Sequence, residues 1–297
     1  MENIKAKHGG FKKILVPTDF SENAKNAMYY AAEVAKCLSS SIVLLNAYHM
    51  PIAPVSAIDI TFADSKSLEI LQQESEAKLK VACDDLKRKF NIVCTYESRC
   101  DFLLDAVKAA CVEETVDLII LGTKGANAVA GFLMGTNAAQ VIEYSKCPVI
   151  VVPSGAVFIG LRRITYASDL IDDDILAIKK LVQLATIFNT RIDILHIYEE
   201  HQPKVLEKEV LNRFVTRVKA IANYENIHPV IIEGDNIHNM LEDFVSENKT
   251  NMLIMSTRKR GLFDKIFERS NTKRMAYHLA VPLMAFHHKE YEPVYLF

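Results

Sequence analysis

Lys12-Lys13-Ile14-Leu15-Val16-Pro17-Thr18-Asp19-Phe20 returns 150 positions later as Arg162-Arg163-Ile164-Thr165-Tyr166-Ala167-Ser168-Asp169-Leu170. Each stretch is a basic pair, an apolar run, a hydroxyl residue and an aspartate. Farther along, Val116-Asp117-Leu118-Ile119-Ile120-Leu121 is answered by Thr250-Asn251-Met252-Leu253-Ile254-Met255. Cys147-Pro148-Val149-Ile150-Val151-Val152 is answered by Ala280-Val281-Pro282-Leu283-Met284-Ala285, with the proline moved by one. A self-similarity this long marks two copies of one domain. The offset shrinks from 150 to 134, so the second copy is about 16 residues shorter. The loss maps after the second strand, where the first copy has a Pro-containing loop from His49 to Asp64.

Within each copy, apolar runs alternate with helical periodicity. Residues 13–17, 42–48, 92–97, 117–122 and 148–153 read as strands, three of them nearly continuous hydrophobics as expected of buried parallel strands. Between them, 21–38, 66–89, 101–114 and 136–145 read as helices, with Ser21 and Asp101 as expected N-caps. The second copy repeats the strands at 163–167, 191–197, 228–233, 252–256 and 281–286. The pattern predicts an α/β fold of two tandem doubly wound parallel-sheet domains, with right-handed crossovers and helices on both faces. The expected domains are 1–155 and 160–288, joined by a linker over Pro153–Leu161, with a C-terminal tail at 289–297 that carries aromatics.

Composition narrows the function classes. Of 297 residues, 50% are hydrophobic and 24% charged, which fits globular domains. A formal net charge of -2 gives no sign of nucleic-acid binding, and no apolar stretch reaches the roughly 20 residues of a membrane span. The polar, basic start offers no apolar signal segment, so a cytoplasmic protein is expected. Six cysteines, all in the first half, form no C-x-x-C pair and read as buried reduced thiols, with a redox role left open for Cys94 and Cys100.

Candidate chemistry lies after the fourth strand of the first copy. Gly122-Thr123-Lys124-Gly125 is followed, after nine residues, by Gly135-Thr136 and a helix. In doubly wound sheets ligands sit beyond the carboxyl ends of the strands. Gly122 and Gly125 leave the backbone free for positive φ and close approach to a ligand. Gly135 and Thr136 open a helix whose free N–H groups favour an anion. Thr123 and Thr136 add hydroxyls and Lys124 a charge, so together the parts suit a triphosphate. A Gly-rich turn serving only strand-to-helix geometry is the competing reading. Asp19, at the end of the first strand, suits a ribose hydroxyl, a Mg²⁺ ion or plain helix capping. The sequence has no G-x-x-x-x-G-K-[ST], G-x-G-x-x-G after a strand, H-E-x-x-H or G-x-S-x-G.

Gly122-x2-Gly125-x9-Gly135-Thr136, set between Leu121 and Cys147-Pro148-Val149, resembles the signature of the ATP-binding branch of the universal stress protein family. Ile14-Leu15-Val16-Pro17-Thr18-Asp19-Phe20-Ser21 resembles that family's opening strand, and the resemblance covers nearly the whole chain. It implies an adenine nucleotide alpha hydrolase-like fold, strand order 3-2-1-4-5, with ATP, and Mg²⁺ at Asp19, on the carboxyl edge. By position, Pro17, Thr18 and Asp19 would line the adenosine and metal side, and Ala47 would meet adenine through its backbone. Gly122, Thr123, Lys124 and Gly125 would wrap the phosphates, with Gly135, Thr136 and Asn137 at the helix N-terminus. It also implies that the edge strands 148–153 and 281–286 pair the two domains within the chain; exposed edges leave a homo-oligomer open as well.

The second copy departs from the motif. Ser256, Lys259, Arg269 and Ser270 stand where Gly122, Gly125, Gly135 and Thr136 stand, so ATP is not expected there. Arg258–Arg274 holds seven basic and two acidic residues, a segment read as a solvated basic loop or a site for a small anion. The expected function is nucleotide-dependent stress or signalling regulation. Slow ATP hydrolysis and a non-nucleotide ligand in the second copy are the alternatives, since no general base stands out.

Overall fold

A computed structural model describes residues 10–49, 65–123, 135–199, 201–257 and 281–287. The first half runs β1 (Lys13–Pro17), α1 (Glu22–Leu38), β2 (Ser41–Tyr48), α2 (Ser65–Phe90), β3 (Cys94–Cys100), α3 (Leu103–Glu113), β4 (Leu118–Gly122), α4 (Thr136–Tyr144) and β5 (Val149–Val152). The second runs β6 (Arg163–Ala167), α5 (Asp172–Phe188), β7 (Arg191–Tyr198), α6 (Lys204–Ala222), β8 (Ile227–Glu233), α7 (Ile237–Glu247), β9 (Met252–Thr257) and β10 (Leu283–His287).

These strands form one sheet of ten, ordered β3-β2-β1-β4-β5-β10-β9-β6-β7-β8. Each half therefore keeps the 3-2-1-4-5 order, and the halves fuse where β5 meets β10. All pairings are parallel except this one, in which Val151, Ile150 and Val149 face Leu283, Met284 and Ala285 antiparallel. The carboxyl edges of the two halves consequently lie on opposite sides of the sheet.

Side-chain alternation along the strands distributes the core. Ile14 and Val16 of β1 join α1 and α2 on one face, and Ile164, Tyr166, Met284 and Phe286 extend the same cluster across the second half. Leu15, Val43 and Leu45 turn to α3 and α4 on the other face, where Ala285 of β10 joins them. The linker tightens the union. Asn26 donates from Nδ2 to the carbonyls of Pro153 and Ala156 at 3.2 Å each, and the Phe158 ring stands edge-on to Tyr30 and Phe188.

Helix α1 begins as the sequence suggests, with Ser21 accepting from the Ala24 N–H at 3.2 Å, and ends on left-handed Ser39. Small side chains at Ala27, Ala31, Ala32 and Ala35 let it lie close on the sheet. Helix α5 is likewise 17 residues long and ends on left-handed Asn189. The shortening of the second copy falls partly on a helix, α2 having 26 residues and α6 only 19. The His49–Asp64 loop lies outside the described residues beyond His49.

Three expectations need correcting. Asp101 does not cap α3; the N-cap is Phe102, and the Asp101 carboxylate accepts from the Phe102 N–H at 2.8 Å while its own N–H still extends the sheet to the Tyr48 carbonyl. Strand β3 starts later and runs longer than 92–97, because it pairs residue by residue with β2 from Ile42–Cys94 to Tyr48–Cys100 through the polar Glu97–Arg99. The cysteines form no disulfide among the described residues, but Cys37 and Cys100 are exposed.

Because β5 and β10 share one buried seam, Ile150→Ala should cost about 2–5 kcal/mol by leaving a cavity. Urea unfolding followed by both fluorescence and circular dichroism should show a single transition for wild type. Separate transitions for the two halves would contradict the shared core.

Candidate functional site

At the carboxyl edge of the first half, β1, β2 and β4 end side by side, and most of the expected residues gather there. Pro17 closes β1, and Thr18, only 5% exposed, donates its N–H to the Leu45 carbonyl at 2.8 Å. The Thr18 hydroxyl accepts from the Phe20 N–H at 3.0 Å, and the Asp19 carboxylate from the Ser21 N–H at 3.1 Å. These bonds hold Phe20 at φ 63, a left-handed conformation unusual for a residue with a side chain. Leu170 repeats it at φ 59, tied by its N–H to the Ser168 hydroxyl at 2.9 Å. Asp19 itself is exposed at this edge.

Gly122 ends β4 and Thr123, 5% exposed, continues the ladder by donating to the Val152 carbonyl at 3.1 Å. The Thr123 carbonyl then accepts from the Gly135 N–H at 2.6 Å. This bond closes the base of the glycine loop and brings the two ends of the motif together. Gly135 is the N-cap of α4, with no side-chain cap bond and no acidic residue in the first turn, and Thr136 and Asn137 are exposed. Lys124 and Gly125 lie outside the described residues, as do Lys259, Arg269 and Ser270.

Gly122 is not one of the positive-φ glycines among the described residues. Its missing side chain answers a packing need instead: a Cβ there would lie 3.0 Å from the Asn23 carbonyl oxygen, against the backbone at the start of α1. Ala47 sits on β2 and packs toward α3 and α4. Its neighbour Asn46, which the sequence reading passed over, is 7% exposed and donates from Nδ2 to the Thr18 carbonyl at 2.7 Å.

The second half fills the equivalent edge differently. Ser256 replaces Gly122, and its hydroxyl lies 2.6 Å from that of Tyr166. Tyr166 donates to Asp174 Oδ1 at 2.9 Å and Ser168 to Oδ2 at 2.7 Å. Asp174 is 2% exposed. Val16, Ala24 and Gly122 hold the matching places in the first half, so a polar network stands where an apolar contact does. Burial pushes the Asp174 carboxyl up from the usual carboxylate range, against the hydroxyls that pull it down.

The chain as a whole has relatives among known proteins. The sequence profile of the universal stress protein family matches it twice, over residues 10–153 and 160–287. The chain belongs to that family. A universal stress protein of Methanocaldococcus jannaschii is 25% identical over 142 residues, spanning 48% of this chain and 82% of its own length. One of Thermus aquaticus is 28% identical over 148 residues, again 48% of this chain and 98% of its own length. Among solved structures, a universal stress protein from Archaeoglobus fulgidus DSM 4304 superposes with TM-score 0.70 at 18% identity, covering 93% of this chain and 98% of its own. That likeness extends the family fold across both halves. No helix among the described residues is long and apolar enough to cross a membrane.

Two outcomes test this description. Gly122→Ala must push the Asn23 backbone away and should cost about 1–3 kcal/mol in urea unfolding. Gly122→Ser should cost at least as much, since Val16 offers the hydroxyl none of the partnership that Tyr166 gives Ser256. For Asp174, a raised folded-state pKa means that the folded protein binds the extra proton. Its stability contribution is therefore largest below the ordinary carboxylate range and is lost as pH rises through the raised value. Wild type should gain stability relative to Asp174→Asn as pH is lowered from neutral, measured by urea unfolding at a series of pH values; a difference independent of pH would contradict the assignment.

Proposed function

We infer that the first half of this universal stress protein binds ATP at its carboxyl edge and that occupancy regulates its partners or assembly. The observation that carries the reading is the Gly135 N–H to Thr123 bond, which sets the start of α4 beside the end of β4 and so joins the two ends of the G-x2-G-x9-G-[ST] motif. First-turn N–H groups with no side-chain cap bond and no acid in the turn among the described residues suit an anionic phosphate. Thr123, Lys124, Gly125, Thr136 and Asn137 would surround the phosphates, and Gly122 would seat α1 against the loop. Pro17, Thr18 and the backbone of Ala47 would border the adenosine. Asp19, exposed on the adjoining strand end, would take a ribose hydroxyl or hold Mg²⁺, which would neutralise phosphate charge when bound.

The second half supports a different role. Ser256, tied into the Tyr166–Asp174 network, occupies the place of Gly122, so this half serves as the structural partner that completes the sheet rather than as a second ATP site. A cytoplasmic setting and a homo-oligomer remain part of this proposal.

Calorimetric titration of the purified protein with ATP should give one site per chain, and Gly135→Arg, which copies the second half, should abolish it. Undiminished binding by that variant would sink the site assignment.

A further inference from the structure

The turn after β1 is under constraint in both halves. Phe20 and Leu170 adopt φ 63 and 59, and left-handed residues with side chains persist only where their surroundings hold them. Backbone bonds from Thr18 to Leu45 and from Ser168 to Leu195 fix the strand side of each turn. A further contact fixes the carbonyl on the turn's other flank. Asn46 donates to the Thr18 carbonyl at 2.7 Å, and 150 residues later His196 Nδ1 lies 3.1 Å from the Ser168 carbonyl.

The backing of these side chains also repeats in position but not in chemistry. Asn46 Oδ1 accepts from Ser75 at 2.8 Å, and Ser75 receives the Ser98 hydroxyl at 2.6 Å; Asn46 and Ser75 are 7% and 4% exposed. His196 Nε2 instead lies 3.2 Å from Glu207. Ser75 and Glu207 each stand sixteen residues before a left-handed asparagine, Asn91 and Asn223, so they are the same site on α2 and α6. Two unlike residue pairs thus place one side-chain nitrogen within hydrogen-bond reach of one carbonyl. Shared position with unrelated side chains points to the carbonyl contact as the thing kept.

We propose that Asn46, backed by Ser75 and Ser98, is a positioning residue for nucleotide binding in the first half, setting the Pro17–Thr18–Asp19 turn through the Thr18 carbonyl. This rests on the ATP reading above. Asn46 acts from behind the turn, from the α1 and α2 side of the sheet, whereas Ala47 presents its side chain to the opposite face. Without the amide, the Thr18 carbonyl loses its buried donor and the left-handed turn keeps only its Leu45, Thr18 and Asp19 bonds, so Asp19 is held less firmly at the site edge.

The test measures two things on the full chain: hydrogen–deuterium exchange over residues 17–21 without nucleotide, and ATP affinity by calorimetry well below the melting temperature. Asn46→Leu should speed exchange in that segment and weaken ATP binding by about tenfold, the equivalent of one buried hydrogen bond. Asn46→His combined with Ser75→Glu, which transplants the pair of the second half, should restore both toward wild type; a merely bulk-stabilising role would not be rescued by so different a pair. If Asn46→Leu fails to fold, Ser75→Ala should show the same two changes to a smaller degree. Unchanged exchange at 17–21 overturns the clamp itself. Faster exchange with undiminished ATP affinity overturns its role in binding. Failure of the wild type to bind ATP overturns the ATP reading, and this inference with it, while exchange still reports on the turn.

Discussion

Everything in this molecule hangs on the antiparallel pairing of β5 with β10. Each half ends in a short strand with a buried apolar run, Val149–Val152 and Leu283–Phe286, whose outer edge would otherwise offer unpaired backbone groups to solvent. Joining the two edges satisfies those groups and makes the face bearing α1, α2, α5 and α6 one continuous core. The antiparallel sense follows from joining like edges of two parallel sheets. It also sends the two carboxyl edges to opposite sides, so the two edges cannot share a ligand, and the halves touch through the seam, through the Phe158 linker and where α1 meets α5.

That separation allows the halves to diverge. The place where α1 touches the end of β4 is a backbone-to-backbone approach made possible by Gly122. In the second half the corresponding gap holds the Ser256–Tyr166–Asp174–Ser168 network. Either solution satisfies packing, but they are not interchangeable one residue at a time: a serine needs the tyrosine, and the tyrosine needs the carboxylate. A half that has acquired the network would have to lose several residues together to regain a glycine there.

Much of the fold was legible in the sequence because its signals are local. The apolar runs of β1, β4 and β5, the Ser21 cap and the repeat itself depend on neighbours along the chain, and the repeat fixes which strands must answer each other. Signals that depend on tertiary partners were not legible. Asp101 reads as a cap by type, yet its N–H continues the sheet and Phe102 takes the cap position. Ser98, Arg99 and Cys100 fall beyond the run that reads as a strand, yet pairing with β2 carries β3 through them. Gly122 reads as a residue left open for a ligand, while its neighbour is the backbone of Asn23. The motif marks the glycine correctly but not what presses on it.

Asn46 shows how a functional position escapes a single pass and yields to the repeat. In Ser41–Tyr48 one asparagine interrupts an apolar strand, and in Arg191–Tyr198 one histidine does so at the same place. Neither matches a motif, and the two differ chemically. The relevant question is which buried carbonyl each must satisfy. A turn held in the left-handed region needs a donor behind it, and any side chain with an N–H at that register will serve. The backing then follows the donor: an amide, whose oxygen still needs a proton, selects the Ser75 hydroxyl, and an imidazole sets its second nitrogen against the Glu207 carboxylate. What the two halves hold in common is thus a geometric demand of the β1 turn, and what differs between them is the chemistry chosen to meet it.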